Sequence, residues 1–195
     1  MKVLVACEFS GVVREAFKKR GHDAWSCDLL PTEIPGQHIQ DDVLKHLDDG
    51  WDLMIAHPPC TRRCNSSVRW LKNDEYGTGR WKLLEQDDIF FNTLWYVDIP
   101  RICLENPIPH KYTSVVDYSQ IIQPWMFGHT ERKATCLWLK GLPKLKETNN
   151  VKVEMLKLPK AQQQRIHYLS PSPKRAHERS RTYQGIANAF AEQWS

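Results

Sequence analysis

The chain has 195 residues, with 27 basic and 23 acidic side chains, a formal net charge of +4, 41% apolar and 26% charged residues. This ordinary globular composition excludes collagen-like, low-complexity and disordered readings and suits one domain with a core of its own. No apolar run approaches the roughly 18 residues of a membrane span, and the start Met1-Lys2-Val3-Leu4-Val5-Ala6-Cys7-Glu8 meets a carboxylate too soon for a signal peptide, so a cytoplasmic protein is expected. The mild positive charge permits a polyanionic partner without demanding one. The cysteines Cys7, Cys27, Cys60, Cys64, Cys103 and Cys136 are widely spread, which in a cytosolic chain predicts free thiols.

Val3 to Cys7 is a short apolar run and reads as a buried strand. Val12 to Arg20 reads as an amphipathic helix, with cations at its end and a stop at Gly21. Asp23 to Leu29 is a second strand, residues 30–40 a loop, and Asp41 to Asp49 room for one or two helical turns. Trp51 to Ala56 is a third strand, stopped by the prolines of His57-Pro58-Pro59-Cys60. Residues 61–79 read as a long polar loop, and Arg80 to Val97 as the strongest helix. Its apolar stripe is expected along Leu83, Phe90, Leu94 and Val97, with Leu84, Phe91 and Trp95 beside it. A strand at Arg101 to Leu104 ends in Glu105-Asn106-Pro107, and two more strands are expected near Ser119–Gln123 and Ala134–Leu139. Gly141 to Pro173 has weak periodicity, and the last helix is expected over roughly Lys174 to Trp194.

The alternation of strand and helix predicts an α/β fold with a doubly wound, mostly parallel sheet, over a single domain of residues 1–195. Ligands in such sheets sit beyond the carboxyl ends of the strands. The unusual residues fall there: Glu8-Phe9-Ser10-Gly11, Asp28, His57-Pro58-Pro59-Cys60 and Glu105-Asn106. Gly11 before a helix suits either a tight turn or close approach of a ligand, and a helix start favours a carboxylate or phosphate. Asp28 is placed to accept from ribose hydroxyls or to cap a loop. Cys60 follows two prolines and a buried strand, which holds a thiol at the sheet edge as a nucleophile. His57, Cys60 and Cys64 lack a fourth metal ligand nearby, so no metal is expected. A buried carboxyl at Glu105 is expected to have its pKa raised by desolvation, making it an acid near neutrality. A thiolate and an acid converging on one pyrimidine suit attack at C6 with protonation at N3, which activates C5.

At these residues the sequence resembles the small cytosine-5 DNA methyltransferases of phages and prophages. Phe9-Ser10-Gly11 resembles the family's F-x-G cofactor loop, Asp28 its ribose-binding acid, and Asp42 the aspartate near the adenine. Pro59-Cys60 matches the catalytic Pro-Cys and Glu105-Asn106 the E-N motif, while Gln184-Gly185-Ile186-Ala187-Asn188-Ala189 resembles the C-terminal segment that returns to the cofactor pocket. The resemblance implies a Rossmann-like class I methyltransferase core with S-adenosylmethionine as cofactor. It implies Cys60, Glu105 and Lys133 as catalytic residues. Phe9, Ser10, Gly11, Asp28, Asp42, Pro59 and Asn188 would line the cofactor pocket, and Pro58 and Asn106 the substrate side.

The departures are specific. Glu131, Lys133 and Thr135 stand where the family has Q-x-R-x-R, Val12 and Val13 follow Gly11, and Pro107 follows Glu-Asn. The interval of roughly 140–174 is too short for the family's target recognition domain. Arg62, Arg63, Arg69, Trp70, Lys72 and Trp81 form a basic and aromatic cluster after Cys60, and Lys174, Arg175, Arg179 and Arg181 a second one. In the first cluster, Arg62, Arg63 and Arg69 are candidates for phosphate contact; the second reads equally as a solvated helix face. His110, His129, His167 and His177 read as ordinary histidines. The expected partner is DNA, duplex or single-stranded, or a pyrimidine nucleotide, with a partner protein supplying target recognition as a further option. A non-catalytic binding protein on the same fold is the remaining alternative.

Overall fold

The computed structural model describes residues 1–71, 77–170 and 172–195. Seven strands, β1 (Lys2–Ala6), β2 (Asp23–Cys27), β3 (His38–Ile39), β4 (Leu53–Ala56), β5 (Arg101–Pro107), β6 (Gln120–Ile122) and β7 (Thr135–Lys140), form one sheet in the order β3-β2-β1-β4-β5-β7-β6. The first five strands in that order are parallel, and β7 runs antiparallel to both neighbours. The chain leaves β1 toward β2 and β3 on one side, then resumes with β4 and β5 on the other. The switch point therefore lies between the carboxyl ends of β1 and β4, where open α/β sheets bind ligands. The doubly wound, mostly parallel α/β sheet expected from the sequence is the observed fold.

Strand alternation divides the core into two layers. Val3, Val5, Leu53 and Ile55 pack against Val13 and Phe17 of α1 (Val12–Lys18) and Phe190 of α7 (Gln184–Gln193). Their neighbours Leu4, Ala6, Met54 and Ala56 face Phe91 and Leu94 of α2 (Gly77–Tyr96) on the opposite side. Each fully buried Val, Leu, Ile, Met or Phe side chain contributes about 1.5–3 kcal/mol. Among the described residues, no helix is long and apolar enough to cross a membrane.

Several elements differ from the sequence expectation. The buried line of α2 runs through Leu84, Asp88, Phe91 and Leu94, while Leu83 is 42% exposed. Asp88 joins this line because its carboxylate accepts from Arg63 Nε at 3.0 Å and from the Ser114 amide at 2.7 Å. Residues 30–40 contain β3 as well as loop. The weakly periodic stretch folds into α3 (Lys152–Leu156), α4 (Lys160–Gln163) and α5 (Arg165–Tyr168). The last helix is two, α6 (Pro173–Ser180) and α7, broken where Arg181 and Tyr183 take extended backbone angles. A Cβ on Gly185 would lie 1.9 Å from the Phe127 carbonyl oxygen, so only glycine lets the start of α7 seat there.

Candidate active site

The turn after β1 is shaped by its own polar side chains. Cys7 has φ 57° and Gly11 has φ 73°, conformations that favour glycine and strain a cysteine. The Glu8 carboxylate accepts from the Val13 amide at 2.7 Å, the Arg14 amide at 3.2 Å and the Ser10 hydroxyl at 3.1 Å. The anion at the start of α1 is thus Glu8 itself, which corrects the expectation that this helix end stands ready for a ligand. Ser10 is buried within the same turn. Arg14 is fully buried and donates to Ser26 Oγ (3.0 Å), Thr32 Oγ1 (3.1 Å) and the Ile34 carbonyl (2.5 Å). It pins the loop after β2 against the sheet. A Cβ on Gly11 would lie 2.8 Å from the Arg14 guanidinium, so this glycine makes room for Arg14.

The ends of β1, β2 and β3 meet at Cys7. Burial pushes the Cys7 thiol up, and the charges of Asp28 and Asp42 add to the rise. Asp28 Oδ1 accepts from the Leu30 amide at 2.9 Å, and its other oxygen has no protein donor among the described residues. Asp42 caps the helical turn Val43–Lys45 through the Leu44 amide at 3.0 Å. Beside Asp28 the apolar side chains of Leu29, 72% exposed, and Leu30 face outward. Phe9 packs on the His177 ring with centroids 5.0 Å apart, and Glu33 pairs with His177 and Arg181, so α6 is clasped to the loop after β2. Asn188 stands apart: it is exposed on α7 with its side chain bonded to Gln184 at 2.8 Å. Among the described residues, no side-chain hydrogen bond joins it to the strand ends.

The second half of the site lies at the ends of β4 and β5. Pro58 is buried, Pro59 exposed and Cys60 half-buried. The Cys60 carbonyl accepts from the amides of Arg63 (3.1 Å) and Cys64 (3.3 Å), closing one tight turn. Asn106, only 4% exposed, donates from Nδ2 to the Pro58 carbonyl at 2.7 Å. It therefore holds the Pro-Pro-Cys turn, and its buried side chain serves the scaffold.

Glu105 Oε2 accepts from His57 Nδ1 at 2.7 Å. Burial alone would raise the Glu105 pKa, but the His57 hydrogen bond, the Lys133 and His57 charges and a hydrogen bond from Thr135 outweigh it and hold the carboxyl below its ordinary value. This overturns the sequence expectation of a carboxyl raised by desolvation: Glu105 rests ionised. His57 Nε2 is buried and has no hydrogen-bond partner among the described residues. Burial pushes the Cys60 thiol up, Cys64 and Glu105 push it further, and Lys133 and Arg179 oppose them. Cys60, Glu105 and Lys133 thus share one electrostatic neighbourhood. Lys133 Nζ donates to the Arg179 carbonyl at 3.0 Å, which joins the approach to β7 with the end of α6.

The basic residues after Cys60 do other work than expected. Arg62 is bidentate to Asp87 at 2.6 and 2.8 Å. Arg63, 1% exposed, pairs with Asp88 and lies 3.9 Å over the Phe91 ring. Both side chains fasten the turn to α2, which corrects the expectation that they face a phosphate. Arg69 is exposed and lies 4.9 Å over the Trp70 ring. Lys72 lies outside the described residues, as does the side chain of Lys174. His110 Nε2 donates to the Arg62 carbonyl at 2.8 Å while Nδ1 accepts from the Tyr112 amide at 3.2 Å, a bonded histidine as expected.

Sequence reasoning missed Glu8 and Arg14 as builders of the first turn and His57 as the partner of Glu105. His57 carried a signal, since it directly precedes the Pro-Pro-Cys turn, but its partner is 48 residues away. No family model matches the chain, and no curated protein matches it. Among solved structures it is similar to an E. coli protein described as a candidate DNA modification methyltransferase encoded within a prophage, with TM-score 0.48 and 16% identity over 80% of this chain and 55% of that one. The chain spans about half the length of that neighbour.

Proposed function

We propose that this chain is an S-adenosylmethionine-dependent methyltransferase that modifies C5 of cytosine in DNA through a covalent adduct on Cys60. The observation that carries the reading is the convergence of Cys60, Glu105 and Lys133 at the ends of β4 and β5, beside the open ends of β1 and β2. The residues present fit the cofactor. Asp28 keeps an oxygen for ribose hydroxyls, and Leu29 and Leu30 offer apolar surface for a base. Because Glu8 fills the start of α1, the cofactor's own carboxylate is not held there. S-adenosylmethionine, when bound, supplies the electrophilic methyl group.

The remaining steps belong to the chain. Cys60 must lose its proton against a raised pKa, and Lys133 and Arg179 favour that loss. The thiolate bonds to C6, and the ring electrons move to N3, which takes a proton. Glu105 is ionised at rest, so it must gain a proton before it passes one to N3; its carboxylate lies 2.7 Å from His57 Nδ1. C5 then takes the methyl group. Loss of the C5 proton to solvent restores the double bond and expels Cys60 as thiolate, and N3 returns its proton to Glu105. A second reading, in which a free nucleotide or a single strand is the substrate, is favoured by the pairing of Arg62 and Arg63 with Asp87 and Asp88, which removes two expected duplex contacts.

The test uses methyl-labelled S-adenosylmethionine with cytosine-bearing duplex, single-stranded and mononucleotide substrates. Label is expected at C5, and Cys60→Ser is expected to reduce it to background while calorimetric cofactor affinity stays within about twofold. A Cys60→Ser protein that methylates at the wild-type rate, or a wild type that binds no cofactor at near-millimolar concentration, would sink the reading.

A further inference from the structure

In the second basic cluster, at α6, Arg179 enters the mechanism above only through its charge on Cys60, and Arg175 has no task in it. Arg175 and Arg179 stand one helical turn apart on α6, so they share a face. Like charges at that spacing destabilise a helix unless an anion sits between them. The neighbouring carboxylates are engaged elsewhere. Glu33 pairs with Arg181 and His177, Glu131 with Arg165 and the Tyr183 hydroxyl, and Glu178 faces Arg165 at 3.9 Å. Arg175 and Arg179 have no carboxylate within ion-pair distance among the described residues. Arg175 Nε is buried and has no acceptor among the described residues. Lys133 Nζ reaches the same helix at the Arg179 carbonyl, 3.0 Å away. The exposed imidazole of His167, on α5, senses all three cations: after burial, Arg179, Lys133 and Arg175 lower its pKa in that order.

We infer that Lys133, Arg175 and Arg179 form a phosphate-binding site beside Cys60, which takes the phosphate borne by the reacting pyrimidine nucleoside. Phosphate suits the donors present. Its oxygens accept several charge-assisted hydrogen bonds, and guanidinium groups meet them in a planar fork. The site deepens the proposed function and rests on its reading of Cys60 as the residue that meets the pyrimidine. It moves the expected phosphate contact from Arg62 and Arg63 to α6. The phosphate belongs either to a free nucleotide or to a strand, and both carry the same group on the reacting sugar.

The experiment measures binding without methylation. Fluorescein-labelled octadeoxycytidylate is titrated by anisotropy at several salt concentrations, and dCMP is compared with deoxycytidine by calorimetry. The wild type is set beside Arg175→Gln/Arg179→Gln and beside Arg132→Gln/Lys157→Gln, a charge-matched control at exposed positions. The α6 variant is expected to bind about tenfold more weakly, with a shallower salt dependence, each lost contact removing about 0.7 from the slope for a single strand. The control is expected to stay within about twofold, and circular dichroism to be unchanged in both. Arginine-dependent binding of dCMP over deoxycytidine identifies a nucleotide as the source; such binding of the octamer alone identifies a strand. A folded α6 variant with wild-type affinity, or a wild type that binds neither ligand, overturns the proposal. Cofactor binding on the same samples separates this failure from that of the methyltransferase reading.

Discussion

The carboxyl ends of β4 and β5 are closed by their own side chains, whereas those of β1 and β2 are left open. At the first pair, His57 fills the reach of Glu105, Asn106 fills that of Pro58, and Arg62 and Arg63 are fastened to α2. At the second pair, Asp28 has one oxygen without a donor among the described residues, beside outward-facing Leu29 and Leu30. The scaffold of that open half lies beneath it, in Glu8 and Arg14. The contrast separates two physical tasks. Chemistry needs groups fixed before the reaction, and fixation comes from saturating their hydrogen bonds. Binding needs surface left for another molecule to cover.

The sharpest way to break this contrast is Glu105→Gln, expected to lower the methylation rate by about 10² to 10⁴ through loss of proton transfer while cofactor affinity holds. Its stability signature has a defined sign. Glu105 is depressed in the folded protein, so its contribution is present above the ordinary carboxyl range and is lost as pH falls through the folded value. Urea midpoints are therefore expected to fall between neutral and acid pH more steeply in the wild type than in the variant. Next in size, Arg63→Met leaves Asp88 buried without its cation and is expected to cost about 3 kcal/mol, a melting point lower by roughly 10 °C. Adding Asp88→Asn should recover part of that loss in a thermal melt. The smallest effect falls on the open half. Asp28→Asn is expected to weaken S-adenosylmethionine about tenfold by calorimetry, about 1.4 kcal/mol, while alkylation of Cys60 proceeds at the wild-type rate. If Asp28→Asn slowed alkylation as well, the two halves would not be separable.

Strands β1, β4 and β5 are legible as apolar runs, because a strand covered on both faces is apolar throughout. The ends of β2, β4 and β5 are legible because Asp28, Cys60 and Glu105 place reactive groups there. β3 escaped notice because two residues between Pro35 and Asp41 carry no period. The stripe of α2 was misread because Asp88 looks solvated until Arg63, far back in the chain, is seen to meet it. The ionisation of Glu105 was also misread. Desolvation is foreseeable from a buried strand end, but the competing hydrogen bonds and charges come from His57, Lys133 and Thr135 on other segments, and their sum decides the sign. The break before α7 hides for the same reason: Gly185 reads as a helix interior, and its constraint is the backbone of Phe127.

Glu105 and Asn106 are successive residues of β5, so their side chains leave opposite faces of the sheet. One grips His57 and the other the Pro58 carbonyl, so a single peptide unit clamps two consecutive residues of the turn from both sides. This makes the shape of the Pro-Pro-Cys turn a matter of parity. Insertion of one residue upstream in β5 would exchange the two grips and point the carboxylate at the wrong layer, whereas insertion of two would restore the phase while displacing the clamp along the strand. The spacing from the pairing of Ile102 with Met54 to Glu105 is therefore a counted length.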